Sequence, residues 1–278
     1  MTVKFERTGN AVWRGLPTPR RVPLDAPWTW LTAGWRDMRR SPHISLGYGA
    51  AFAVISAALA LGFWNVNAQP LFLPLAGGFL LIGPAVALGL YETSRRLERG
   101  ESVRFVDVAG TCFEAGGQVG LFGAMLIFIF GIWALLAVLL LMVFLQTDAM
   151  PQPDDIMRVL LFTSRGLSLL IVGTIVGGVL AAFVFAVSVV AVPMLLVTDI
   201  DPVSAARASV AAVVLNPQPM ALWAVLIAAI IALGFATLLI GLVIAFPLIG
   251  HASWHAFTDL YGEWDNPRSK PENVVARP

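Results

Sequence analysis

The residues best suited to chemistry are two histidines four positions apart, in the run Gly250-His251-Ala252-Ser253-Trp254-His255. On a helix that spacing puts both imidazoles on one face, close enough to share a metal ion or to offer two nitrogens to a haem. His43 is the only other histidine. It precedes the first apolar run and is expected at the same membrane level. His43, His251 and His255 therefore define a candidate metal site with zinc, copper or iron preference. No Cys or carboxylate completes a ligand pattern. The competing expectation is that both rings and Trp254 sit at the headgroup level, where polar-tipped rings gather. No cofactor is assigned.

A second cluster is Tyr91-Glu92-Thr93-Ser94-Arg95-Arg96-Leu97-Glu98-Arg99-Gly100. Glu92 lies three and four residues from Arg95 and Arg96, the spacing of helix-neighbour ion pairs. The run reads as the solvated end of an extended helix. Alternatively, the forks of Arg95 and Arg96 bind phosphate-bearing lipid headgroups. HExxH, G-x-S-x-G, a Walker loop, a cysteine cluster and paired intramembrane aspartates are all absent from the sequence, so no enzyme activity is expected. The lone Cys112 rules out an intrachain disulfide and reads as a small buried residue.

The elements that must position these groups are membrane helices. Five apolar runs, at 44–64, 71–91, 119–145, 167–197 and 220–249, carry almost no charge. About 20 apolar residues cross a bilayer, and an ionised residue at that depth is costly. The composition is 58% hydrophobic and 13% charged, against about 25% charged in soluble domains. The first forty residues are polar and basic with no apolar leader, so the first run is expected to act as an uncleaved anchor.

Charge sets the orientation. Eight Lys and Arg precede the first run, and Arg95, Arg96, Arg99 and Arg104 follow the second, whereas the 65–70 connection has no charge. Basic loops stay cytoplasmic, so the N-terminus is expected inside and the 65–70 and 146–165 loops outside. The 220–249 run is either one long kinked helix or two helices folded back near 239–241. The second reading leaves only Arg158 and Arg165 outside.

An internal repeat supports that reading. Three times the chain passes through an amphipathic segment (28–40, 104–116, 202–215), a span, a connection and a second span with a proline: Pro84, Pro193, Pro247. The expected fold is an all-α polytopic membrane bundle of six transmembrane helices, as three hairpins each preceded by an interfacial helix. It occupies residues 28–262, between flexible cytoplasmic tails at 1–27 and 263–278. In the first amphipathic segment Trp28, Leu31, Trp35 and Met38 share a face, and Arg36, Asp37, Arg39 and Arg40 occupy the other side. Trp28, Trp35, Arg36, Arg39 and Arg40 are thus candidates for lipid or partner contact. In the third, Asp201 caps the helix and Val203, Ala206, Val210 and Val213 form the apolar stripe. Small-residue tracks, Gly173-Gly177-Gly178-Ala181-Ala182 and Gly116-Gly120, are expected to let helices pack closely inside the bundle.

Gly83-Pro84 through Gly89-Leu90-Tyr91-Glu92 with Arg95-Arg96, Ser188 to Leu195 with Pro193-Met194, Asn216-Pro217 with Pro219-Met220, and Phe246-Pro247-Leu248 with Gly250-His251-Ala252 and Trp254-His255 form a pattern. It resembles the predicted integral membrane proteins of proteobacteria grouped as domain of unknown function 2189, over about residues 28–262. The resemblance implies a six-span bacterial inner-membrane protein without an established activity. The three-hairpin pattern also resembles the membrane portion of some glycerophosphodiester phosphodiesterases, without their catalytic domain. The function expected is a non-enzymatic scaffold, assembly factor or modulator of a membrane complex or lipid environment. The alternatives are a small-molecule or lipid permease and a metal- or haem-binding accessory protein of respiration. The expected partners are the lipid bilayer and another membrane protein or a second copy, not nucleic acid.

Overall fold

The computed structural model describes residues 18–65, 71–114, 116–145 and 153–262. The expectations for 1–17, the 66–70 connection, the 146–152 part of the 146–165 loop, the 263–278 tail and the surroundings of Cys112 and Gly116 lie outside the described residues. Twelve helices run in the order α1 Ala26–Arg40, α2 Pro42–Asn65, α3 Phe72–Val86, α4 Leu88–Glu98, α5 Phe105–Glu114, α6 Gly116–Leu145, α7 Pro153–Phe162, α8 Ser164–Ser188, α9 Ala191–Val197, α10 Pro202–Leu215, α11 Pro217–Ala236 and α12 Leu242–Tyr261, with no strand among the described residues.

Four helices are long and apolar enough to cross a membrane: α2, α6, α8 continued by α9, and α11. The other two expected spans are built differently. α3 has only 15 residues and is continued, after a break at Ala87, by the charged α4. α12 has 20 residues, but it carries His251 at its middle and His255 beyond it.

The last apolar run is two helices. The break at 237–241 puts Leu238 and Leu239 at positive φ (53° and 72°), a conformation that costs free energy in residues with side chains. Trp30 on α1 touches Trp223 near the start of α11, edge to face with centroids 5.7 Å apart. The same indole donates its N–H to Asp259 near the end of α12, at 2.9 Å. The two helices therefore run antiparallel, which removes the single-kinked-helix alternative.

The three expected amphipathic segments appear as α1, α5 and α10. Each packs on the second helix of another repeat: α5 on α4, α10 on α8 and α9, and α1 on α12. The last contact joins the two ends of the chain. The segment before α1, expected as part of a free tail, is fastened there. The Arg20 N–H donates to the Leu260 carbonyl at 2.7 Å, and Val22 and the Arg20 carbonyl bond the amide of Asn216. Tyr261 completes the joint by donating to the Ala208 carbonyl at 2.7 Å.

Two local expectations change. α7 is a helix within the stretch read as an external loop; it packs on α8, whose first turn is capped by Thr163 accepting from the Gly166 N–H. In α10 the Asp201 cap is present, accepting from Val203 and Ser204, but the face toward the bundle is Ala205, Ala208, Ser209 and Ala212. Small side chains let α10 approach its neighbours; Val203, from the expected stripe, is exposed.

Candidate functional site

α12 is the centre of the polar chemistry, and glycines bring its neighbours close. A β-carbon on Gly34 of α1 would lie 2.7 Å from the Ala252 nitrogen. One on Gly49 of α2 would meet the Val243 carbonyl. Pro247 has no N–H for that carbonyl, four residues earlier, so the proline leaves an acceptor and α2 covers it with a bare Cα. Phe52 stacks on Phe246 on the same side, with centroids 4.0 Å apart.

These approaches enclose a chain of hydrogen bonds joining α1, α2, α4 and α12. His251 is fully buried. Its Nε2 lies 2.9 Å from Ser45 Oγ and its Nδ1 lies 2.8 Å from Ser94 Oγ. Ser94 also hydrogen-bonds Asp37. A carboxylate only accepts, so Ser94 gives Asp37 its proton and accepts from Nδ1–H, while Ser45 Oγ, between Nε2 and the Ser41 carbonyl 2.9 Å away, ties the ring to α2. Asp37 accepts in turn from His255 Nε2 at 2.7 Å. Burial opposes ionisation of Asp37, but the hydrogen bonds from His255 and Ser94 and the charge of the nearby imidazole hold its carboxyl below the usual value. On the far side of the His255 ring, Nδ1 faces Glu98 Oε1 at 3.2 Å, an arrangement suited to a ring donating from both nitrogens. Glu98 also accepts from the Trp254 indole at 2.8 Å.

Glu92 sits one turn away and is also fully buried. Arg95 grips its carboxylate with two bonds, 2.7 and 3.0 Å, and Arg96 adds a third at 2.7 Å. The cluster is a solvated helix end only in its last part: Glu98, Arg99 and Gly100 are exposed, whereas Glu92, Thr93 and Ser94 belong to the core. Glu92 takes two donors of Arg95 and one of Arg96, which leaves fewer of them for a phosphate.

The histidine triad does not form. His43 is exposed at the start of α2, apart from the buried His251. Both nitrogens of His251 and of His255 bond other protein groups. Among the described residues no cluster of three His, Cys, Asp or Glu could hold a metal ion. Trp254 is buried as well, so neither it nor His251 is a headgroup anchor. Sequence reasoning missed Asp37, Ser41, Ser45 and Ser94, the groups that hold the rings. A signal existed for one of them: Trp30, Ala33, Gly34 and Asp37 recur at i, i+3, i+4 and i+7, and that is the buried face of α1.

Of the lipid-contact residues, Trp28 and Trp35 are exposed, at 55% and 43%, as are Arg36, Arg39 and Arg40. Met38, from the expected lipid face, is buried against the bundle instead.

Elsewhere the interior is open. An apolar cavity of about 430 Å³ lies among α3, α6, α7 and α8. A second, of about 350 Å³, lies where α3 and α4, α8, α11 and α12 meet. The glycine track of α8 borders the first. A β-carbon at Gly173 or Gly178 would touch nothing within 4 Å; only Gly177 meets a neighbour, the ring of Trp133. The track expected to be a close helix contact is mostly a gap.

A helical bundle with membrane-length apolar helices agrees with the comparison to known families. Residues 71–197 match the family described as predicted integral membrane protein (DUF2189). The match spans α3 to α9 and bears out the resemblance over that stretch; α1, α2 and α10 to α12 lie outside it. No curated protein and no solved structure matches the chain.

Proposed function

We propose that this chain is a non-enzymatic, six-span protein of the bacterial inner membrane that scaffolds or modulates a membrane complex or its lipid surroundings, with both termini cytoplasmic. The observation that carries this reading is the mounting of α1. Its inner face is locked to α12 through Gly34, Trp30–Asp259 and Asp37–His255, while Trp28, Trp35, Arg36, Arg39 and Arg40 face outward. A rigid helix with an aromatic and basic outer face suits the boundary between anionic headgroups and apolar chains. The charged groups around α12 are paired with one another, which leaves few to act on a substrate. The contact between the segment before α1 and the end of α12 supports an even number of crossings, and six agrees with three repeats. Reporter fusions after Tyr261 and near Gln152 test the topology, with cytoplasmic and periplasmic signals expected in that order. Full-length protein carrying Arg36→Glu, Arg39→Glu and Arg40→Glu is expected to lose affinity for anionic over zwitterionic lipid and to release any stoichiometric membrane partner. Unchanged lipid preference and partner retention sink the reading. A carrier for an apolar small molecule is the second reading, favoured by the two cavities.

A further inference from the structure

Two hydroxyls of largely buried residues open onto internal space instead of joining the network. Tyr91 and Ser253 are only 3% and 6% exposed, and neither has a hydrogen-bond partner among the described residues. A polar group in the interior is usually met by a partner, from the protein or from what fills the space beside it. Both residues line the same space, the 350 Å³ cavity at the junction of the three repeats. Ser188, from the middle repeat, lines it too; its hydroxyl donates to the Val184 carbonyl at 2.7 Å, which leaves an oxygen lone pair.

The cavity is graded along its length. Tyr91 and Ser253 stand beside the charged cluster, next to Glu92 and between His251 and His255 in the chain, and Ser188 closes α8. The opposite part is bordered by Leu81, Ile231 and Phe246, farther from that cluster along the same helices. No Asp, Glu, Lys, Arg or His lines any part of it. On its flank, exposed residues of α8 and α11, Ala182 and Val225, open it toward the membrane. A charged head would have no counter-charge here, whereas two hydroxyls can each donate to and accept from a neutral one.

We infer that this cavity binds an uncharged single-chain lipid. Its hydroxyl or ester head is held by Tyr91 and Ser253, and its chain runs between α8 and α11 toward the middle of the bilayer. Water alone satisfies the polar end but has no partners along the apolar remainder. The occupant enters sideways from the membrane, so no path through the protein is needed.

Full-length protein in nanodiscs of zwitterionic lipid tests this with monolaurin as the probe and dodecyl phosphate as its charged counterpart. Native mass spectrometry and thermal melting are expected to show one monolaurin per chain and a raised melting midpoint, with no comparable effect of dodecyl phosphate. Tyr91→Phe with Ser253→Ala removes both hydroxyls while keeping shape, and is expected to weaken monolaurin at least ~10-fold, the loss of about 1.4 kcal/mol of binding. Ala224→Phe, which fills the cavity, is expected to abolish the adduct. Monolaurin bearing a diazirine at the end of its chain is expected to label residues around Leu81 and Ile231 in the wild-type protein, so the assignment does not depend on any variant folding. Equal binding by the double variant, equal binding of dodecyl phosphate, labelling elsewhere, or no adduct at any concentration overturns the proposal.

Discussion

Gly49 on α2 and Gly173 on α8 are both glycines inside long apolar helices, and their surroundings are opposite. Gly49 lies against the carbonyl freed by Pro247, and a β-carbon there has no room. Gly173 borders empty space, and a β-carbon there touches nothing. The same division runs through the molecule. Around α12, close backbone approach brings serines, carboxylates and histidines within hydrogen-bond reach, and they hold one another. Around α8, the helices keep their distance, and the missing side chains become cavity. In a bilayer, apolar faces gain little by leaving lipid for protein, so helices stay together where dispersion contacts or hydrogen bonds are good. A glycine track therefore marks either a tight joint or an opening, depending on whether a partner offers something to bond.

The sharpest break in this contrast is expected at Glu92. Glu92→Ala leaves two partly buried guanidinium groups without their carboxylate and should cost about 3–5 kcal/mol, read from reversible unfolding in mixed micelles. A cost below ~1 kcal/mol shows that water reaches the arginines and that the α4 cluster is not part of the locked region. Next comes Asp37→Asn, which removes the acceptor between Ser94 and His255; charge-assisted bonds of this kind are worth roughly 1.5–3 kcal/mol. Because the Asp37 pKa is depressed in the folded protein, the unfolded chain takes up the proton first as pH falls. The stability it supplies is complete above about pH 4, where the unfolded carboxyl is ionised, and disappears as pH drops through the lower folded value. The Asn variant should lack that acid-dependent portion, and an unchanged pH profile removes Asp37 from the network.

Gly49→Ala should cost about 1–3 kcal/mol by overpacking. Gly173→Ala should be neutral or stabilise by up to ~1 kcal/mol, since Ala favours the helix and meets no obstacle. Equal effects at the two positions erase the contrast. The smallest loss is expected from Trp133→Phe, which removes the 2.7 Å indole bond to the Pro74 carbonyl that pins α6 to α3 beside the larger cavity. That bond is worth about 1 kcal/mol.

Much of this architecture was legible in the chain itself. Four spans follow from apolar length alone, and the recurrence of amphipathic segments and prolines anticipated the helix break at 237–241. The family resemblance was readable from Gly83-Pro84 and Glu92-Arg95-Arg96. The site was read less well because the strongest sequence signals pointed outward. Trp28 and Trp35 drew attention to the exposed face of α1, while the face that matters holds Trp30, an alanine, a glycine and one aspartate. The two histidines share a helical face, as their spacing requires, but what each ring meets depends on α1, α2 and α4, up to 218 residues away. Charge at Glu92 to Arg96 resembles a solvated helix end because sequence shows the charges and not the depth at which they pair. α7 went unread because its 10 residues are too short for a span and carry two aspartates.

The joint between α1 and α12 also has a bearing on how the chain is made. A ribosome delivers α1 first and α12 last, so the helix that will hold α1 does not exist for almost the entire period of synthesis. Through that interval Trp30 and Asp37 have no Asp259 and no His255 to meet. Every chain broken off early, or failing to insert its final hairpin, keeps that face uncovered. The first helix thereby reports whether the last has arrived, and an exposed Trp30–Asp37 face is a mark by which a membrane protease can tell an unfinished chain from a finished one.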